Sequence, residues 1–140
     1  MKKNILVPVL FLFSACKGPG DSPGDANLEI VRKTFEAFNE HDWSLMTSYY
    51  TDTAYFLDPS LGKDYVTQTR QQSIKKYTNL QNFAPDIYDS IVGMYASGNK
   101  VTVEFISTGT SSGQKWHLPL CSILTIEGGK VVRDATYYDQ

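Results

Sequence analysis

From residue 27 onward the apolar positions change period once, and that change divides the chain into a helical front and a stranded back. Leu28, Val31, Phe35 and Phe38 recur at spacings of three or four and form one apolar stripe. Glu29, Arg32, Lys33, Glu36 and Glu40 occupy the other faces. The pattern predicts an amphipathic helix capped by Asp25 or Asn27 and closed at residues 39–42. Asp42 is placed to cap a short second helix carrying Trp43, Leu45, Met46, Tyr49 and Tyr50. Residues 53–57 read as a short strand rich in β-formers, closed by Asp58-Pro59 and Gly62. A third helix is predicted over about residues 65–80. Its apolar positions (Tyr65, Val66, Ile74, Tyr77, Leu80) are sparse, so it is expected to cover one end of the domain, and Pro85 stops it.

Beyond Pro85 the period is two. Strands at 87–96 and 101–108 flank Ser97-Gly98-Asn99, a turn of hairpin type. Val101, Val103 and Phe105 alternate with Thr102 and Glu104. After a turn at 110–113 comes a long strand at 115–126, apolar on both faces at Leu118, Leu120, Ile123, Leu124 and Ile126. Glu127-Gly128-Gly129 turns it into a last strand at 130–138. Helices followed by a meander of long strands argue an α+β fold, with N-terminal helices packed on one face of a curved antiparallel sheet.

The residues before 27 follow neither pattern. Lys2 and Lys3 precede an apolar run at 5–13, too short to span a bilayer but suited to the core of a signal peptide. It ends in Leu12-Phe13-Ser14-Ala15-Cys16, which resembles a bacterial lipobox, with Phe13 where Leu is usual. That resemblance implies that Cys16 becomes the lipidated first residue; an ordinary secretory signal containing a cysteine is the alternative. Residues 17–26 carry Gly, Pro and charge without apolar period, as a flexible tether does. The expected organisation is a lipoprotein signal peptide at 1–15, a tether at 16–26 and one domain at 27–140. The expected location is the bacterial cell envelope, on the periplasmic or surface side and touching the membrane only through the lipid; secretion is the alternative.

Composition adds a pocket to this picture. The 140 residues suffice for one domain with a real core. Nine Tyr, seven Phe and two Trp exceed what packing needs and suit the wall of a cavity. The formal charge is −2. Loss of Lys2 and Lys3 with the signal peptide takes 13 basic residues to 11 against 15 acidic ones, so nucleic acid is excluded as a partner on charge. Cys16 and Cys121 are the only cysteines, and a lipidated Cys16 leaves no intrachain disulfide. Cys121 reads as a buried thiol; His117 shares its strand face but lies about 13 Å away at strand rise, too far for a Cys–His pair.

Three separate stretches carry a family resemblance. Residues 31–42 (Val-Arg-Lys-Thr-Phe-Glu-Ala-Phe-Asn-Glu-His-Asp), the Asp58-Pro59 turn, and Glu127-Gly128-Gly129-Lys130-Val131-Val132 leading to Tyr137-Tyr138-Asp139 resemble the SnoaL-like branch of the nuclear transport factor 2-like superfamily. The resemblance implies a cone-shaped, cystatin-like fold in which a strongly curved sheet wraps the helices and leaves a cavity at its open end. It also implies dimerisation through the outer sheet face as a common arrangement. In the ketosteroid isomerases of this superfamily an Asp base sits in an Asp-Pro-x-Gly turn, with a Tyr and a protonated Asp as oxyanion donors. Asp58-Pro59 matches the base, with Gly62 one residue late. The donors do not carry over: Thr34 stands at the Tyr position and Cys121 or Ser122 at the Asp position, which argues against steroid isomerisation. The polyketide cyclases use an Asp in the last strand, where this chain has Thr136; Asp134 matches only in a shifted register.

Asp58 is read as a general base or a turn cap, and His117 as an acid/base partner or a sheet histidine. Trp43, Tyr50, Tyr55, Tyr65 and Trp116 are candidate pocket walls, and His41 is read as solvated. The histidine and carboxylate spacing predicts no metal, and no cofactor is implied. The expected function is binding of a small apolar or mixed molecule in the cone. The alternatives are an isomerase, dehydratase, cyclase or hydrolase using Asp58 as base, and a homodimeric interaction module at the envelope.

Overall fold

In the computed structural model, residues 23–139 are described, and the expected signal peptide and Cys16 lie outside them. The first helix, α1 (Pro23–Asn39), begins four residues before the expected start, with Pro23 at its first position. Proline is favoured there because its missing N–H is one a helix leaves unpaired anyway. The last residues of the expected tether are therefore helical. Asp42 caps α2 (Trp43–Ser48), its carboxylate accepting from the Leu45 N–H at 2.8 Å.

The strand β1 (Tyr50–Leu57) is longer than expected and takes Tyr50 out of the second helix. It runs through Asp58 into a 3-10 turn (Pro59–Leu61). The third helix departs most from expectation: residues 66–69 form the strand β2 (Val66–Thr69), and α3 covers Arg70–Phe83. Its start is fixed by a capping box. The Gln72 N–H donates to Thr69 Oγ1, and the Thr69 N–H donates to Gln72 Oε1 at 2.8 Å.

Four long strands follow: β3 (Tyr88–Ser97), β4 (Lys100–Ser111), β5 (Gln114–Glu127) and β6 (Lys130–Tyr137). The sheet order is β2-β1-β6-β5-β4-β3. Every adjacent pair is antiparallel except β1 with β6, which is parallel. The sheet is thus mixed at one joint, a detail that hydrophobic periodicity does not encode.

Two bulges decide which side chains face the helices. On β6, Thr125 pairs with Arg133 but Ile126 with Val131, so Val132 is the extra residue. Val131 faces the core, and beyond the bulge the inward positions become Asp134 and Thr136 instead of Arg133 and Ala135. On β3, Ile91 pairs with Phe105 and Gly93 with Glu104, leaving Val92 extra and 65% exposed on the outer face.

The core lies where α1 crosses the sheet. Val31 packs with Val101, Val103, Leu124, Ile126 and Val131, all almost fully buried. A second cluster joins the helices through Ala37, Phe38, Trp43, Met46, Ala84 and Ile87. Along β4 the inward row runs Val101, Val103, Phe105, then Ser107 and Gly109. The residues shrink as the strands leave the cover of α1, and the core opens into a cavity.

Ile126 is 4% exposed and lies outside the cavity wall, so Ile126→Ala should cost about 2–4 kcal/mol of stability through lost burial and the void left behind. Chemical denaturation checks this; a loss below about 1 kcal/mol would mean that the cluster is not the main core.

Candidate functional site

Between the helices and the inner sheet face lies a cavity of about 460 Å³. Its apolar wall comes from Phe35 and Phe38 on α1, Leu80 on α3, and Trp116, Leu118 and Leu120 on β5. Strand alternation explains the last three, because even-numbered residues of β5 face inward. Gly109 makes room for one of them. A Cβ there would overlap the Trp116 indole, so the ring lies across β4 on the missing side chain. Phe83 stacks on the same indole from outside, with centroids 6.5 Å apart.

Polar groups enter the cavity in three sets. The first is built on Asp58. Its Oδ2 accepts from Lys76 Nζ at 2.6 Å, and its Oδ1 accepts from the Ser60 N–H at 2.8 Å and the Tyr138 hydroxyl at 3.0 Å. Burial pushes the Asp58 carboxyl up, but the Lys76 ammonium and the bonds from Lys76 and Ser60 outweigh it, and its pKa lies below the ordinary aspartate value. Asp58 is therefore an ionised, fully partnered carboxylate at neutral pH. Lys76 also sits 5.4 Å from the centroid of the Tyr77 ring.

The second set is Tyr50, Asp134, Thr136 and Ser122. The Tyr50 hydroxyl donates to Asp134 Oδ2 at 2.7 Å, and Thr136 Oγ1 donates to Asp134 Oδ1 at 3.3 Å. The Ser122 and Thr136 hydroxyls lie 2.6 Å apart. Burial raises the Asp134 pKa above the ordinary value against the lowering pull of Tyr50 and Lys76. Tyr50 is raised as well, by burial and then by the Asp134 charge, so it stays a phenol.

Asp89 forms the third set. Burial lifts its pKa from 3.8 to about 6, opposed only by a hydrogen bond from Ser107. Its Oδ1 has no hydrogen-bond partner. Among the described residues, no group of three His, Cys, Asp or Glu side chains is arranged to hold a metal ion.

Of the residues singled out from sequence, Asp58, Tyr50 and Trp116 line this cavity. The others do not. His117 occupies an odd-numbered position on β5 and points to the outer, exposed face. Tyr55 and Tyr65, 51% and 43% exposed, sandwich the outward Arg133, whose guanidinium is 6.0 and 4.9 Å from their ring centroids. Trp43 is buried but packs sideways between His41 and Tyr77, with its Nε1–H donating to Gln81 Oε1 at 2.9 Å. His41 is not solvated: its ring bridges the Ile87 carbonyl and the Gln81 amide at 3.0 and 3.1 Å. The inward residue at the isomerase donor position is Ser122; Cys121 faces outward, half-buried.

Sequence reasoning missed Asp89, Lys76 and Tyr77. Asp89 was detectable as an acid between Ile87 and Ile91 on the apolar parity of a strand. The other two depended on the phase of α3, which the capping box fixes.

Lys76→Met should leave Asp58 buried without its cation and raise its pKa above the ordinary aspartate value, read by carbon-detected NMR titration. The wild-type pair stabilises the fold above the unfolded aspartate pKa and loses that contribution as pH falls through the depressed folded value. The stability gap to Lys76→Met should thus be about 1–3 kcal/mol at pH 7. It should close below about pH 4. An unmoved Asp58 titration would show that the ion pair does not set its charge.

A family model described as SnoaL-like domain matches residues 31–134. No curated protein matches the chain. Solved structures do. A protein of ketosteroid isomerase-like fold from Catenulispora acidiphila, in complex with trimethylamine, is 21% identical with a TM-score of 0.70, covering 79% of this chain and 85% of that one. Bal32a, from a soil-derived mobile gene cassette, is 16% identical with a TM-score of 0.74, covering 82% and 90%. An LEH-like epoxide hydrolase of M. tuberculosis is 13% identical with a TM-score of 0.72, covering 84% and 86%. At these identities the likeness is one of fold.

Proposed function

The chain belongs to the SnoaL-like domain family, and from its cavity we propose that it binds a small molecule with an apolar body and at least one polar group. The observation that carries this reading is the cavity itself, about 460 Å³ walled by aromatic and aliphatic side chains with three polar sets at its edge. Pockets of that size and lining are typical of small-molecule sites. The polar sets supply direction: the Tyr50–Asp134 pair and the Ser122–Thr136 hydroxyls suit a neutral donor or acceptor, and Lys76 suits an acceptor.

Binding is favoured over base catalysis at Asp58 by the state of that carboxylate. A general base at neutral pH needs a pKa near the working pH. Asp58 is held below the ordinary range and has partners on both oxygens, which makes it a weak base and a good positioning group. Its proposed role is to orient Lys76 and Tyr138 at the cavity wall.

The occupied cavity should stabilise the fold. A ligand at one hundred times its dissociation constant adds about 2.7 kcal/mol, read as a rise in Tm. Ser122→Trp places an indole inside the cavity and should remove that rise while costing about 1–3 kcal/mol by overpacking. A ligand shift that survives in the folded Ser122→Trp protein would place binding elsewhere.

We further propose that Cys16 carries lipid and holds the pocket at the cell envelope, on the strength of the residues before it. Replacement Cys16→Ser should move the protein from the membrane fraction to the soluble fraction. Equal membrane retention of both proteins removes the anchor.

A further inference from the structure

Among the described residues, three carboxyl groups border the cavity, and two of them are partnered on both oxygens. Asp58 has Lys76, Ser60 and Tyr138, and Asp134 has Tyr50 and Thr136. Asp89 is only 8% exposed, and its Oδ1 has no partner. Asn39 clamps its backbone on both sides, accepting from the Asp89 N–H at 2.8 Å and donating to the Asp89 carbonyl at 2.9 Å. The residue is therefore fixed to α1. Among the described residues, the only cation lining the cavity is Lys76, and Asp58 holds it.

The surroundings of Asp89 are aromatic. It pairs across the sheet with Ser107, which pairs with Leu118. The next inward row on one side is Gly109 and Trp116, with the indole lying over the glycine; on the other side it is Phe105 and Leu120. Phe38 and Tyr77 face the sheet from the helices, edge to face with centroids 5.8 Å apart. The Asp89 charge is felt at the Tyr77 hydroxyl.

We propose that Asp89 marks a subsite for an organic cation, the ammonium group of a ligand whose hydrocarbon part fills the cavity. The inference rests on reading the cavity as a small-molecule pocket and names the class of molecule it takes. A buried carboxylate without a counter-charge is unfavourable, and an ammonium supplies that charge. Aromatic rings lining the same cavity can add cation–π attraction. A neutral ligand leaves the Asp89 charge unanswered, and an anionic one meets three carboxyl groups. A metal ion would need several ligating groups where Asp89 offers one.

Phenylbutylamine, phenylbutanol and phenylbutyrate differ only in the head group and serve as probes, titrated into the full-length protein by calorimetry. The amine should bind at least about tenfold tighter than the alcohol, with the carboxylate weakest. In Asp89→Asn the alcohol should bind as before and the amine should lose its advantage. Thermal unfolding at pH 8 should show this variant at least as stable as wild type, because the folded state no longer holds an ionised carboxyl that burial disfavours. In the wild type the amine's advantage should fall as pH drops through about 6, where Asp89 gains its proton. The other titratable groups on the cavity are Asp58, Lys76, Tyr50, Tyr77, Asp134 and Tyr138. Asp58 stays ionised in that interval, and burial raises Asp134 above the ordinary aspartate value.

Equal affinity for amine and alcohol, or an amine advantage retained in Asp89→Asn, overturns the inference and leaves the pocket reading intact. An advantage that ignores pH between 5 and 8 overturns it as well, without recourse to any variant. Absence of saturable binding for all three probes overturns the inference and the pocket reading together.

Discussion

Among the described residues a single ammonium group, that of Lys76, faces a cavity bordered by three carboxyl groups, and its position orders their charges. Pairing at 2.6 Å keeps Asp58 ionised although burial works against it. Asp134 feels the same ammonium more weakly, and burial wins there. At Asp89 burial is opposed by the hydrogen bond from Ser107. The result is a gradient across one small space, with Asp58 held below the ordinary aspartate value and Asp89 and Asp134 pushed above it by burial. In a low-dielectric cavity such differences govern which head groups a ligand can carry.

That gradient depends on backbone devices some distance from the charges. The Thr69–Gln72 capping box sets where α3 starts, and hence which of its residues face the sheet. A one-residue shift of the start would turn Lys76 and Tyr77 about 100° around the helix axis and separate Lys76 from Asp58. The bulge at Val132 does the same for the sheet: without it Arg133, rather than Asp134, would enter the cavity. A guanidinium in that place would neutralise the acidic side of the pocket and abolish the gradient. The position of one extra residue thus sets the sign of the local field.

Much of the architecture was legible from sequence because burial writes itself as period. The stripe Leu28, Val31, Phe35, Phe38 and the alternation Val101, Val103, Phe105 predicted α1 and β4 and the core between them. Tyr50, Asp58 and Trp116 were legible as cavity residues from side-chain type and position. What failed was parity. His117 and Tyr55 were assigned by chemistry alone, and each faces outward because strand side chains alternate strictly. Residues 65–69 read as helix because their few apolar positions fit no period well, and pairing of β2 to β1 decided the matter through long-range contacts. The raised pKa of Asp134 was not legible at all, since it comes from burial, and that requires knowing that the bulge at Val132 turns Asp134 inward.

Asp89 is the point at which local rules and global fold disagree. Its neighbours, Ile87 just before β3, Ile91 on β3 and Phe105 on β4, describe an apolar run interrupted by one acid paired with Ser107. Stability alone would replace it with an apolar or amide side chain, and the clamp from Asn39 needs only its backbone. Asp58 could be defended on structural grounds, because its carboxylate caps a turn and anchors Lys76. The Asp89 side chain has a weaker account: it caps no helix or turn, takes a hydrogen bond from Ser107, and leaves its other partner position empty beside an aromatic cavity. Sites where a chain departs from the locally stable choice without structural return are where function is most economically sought. By that criterion the chemistry of this cavity is better read from Asp89 than from the Asp-Pro turn that stands out in the sequence.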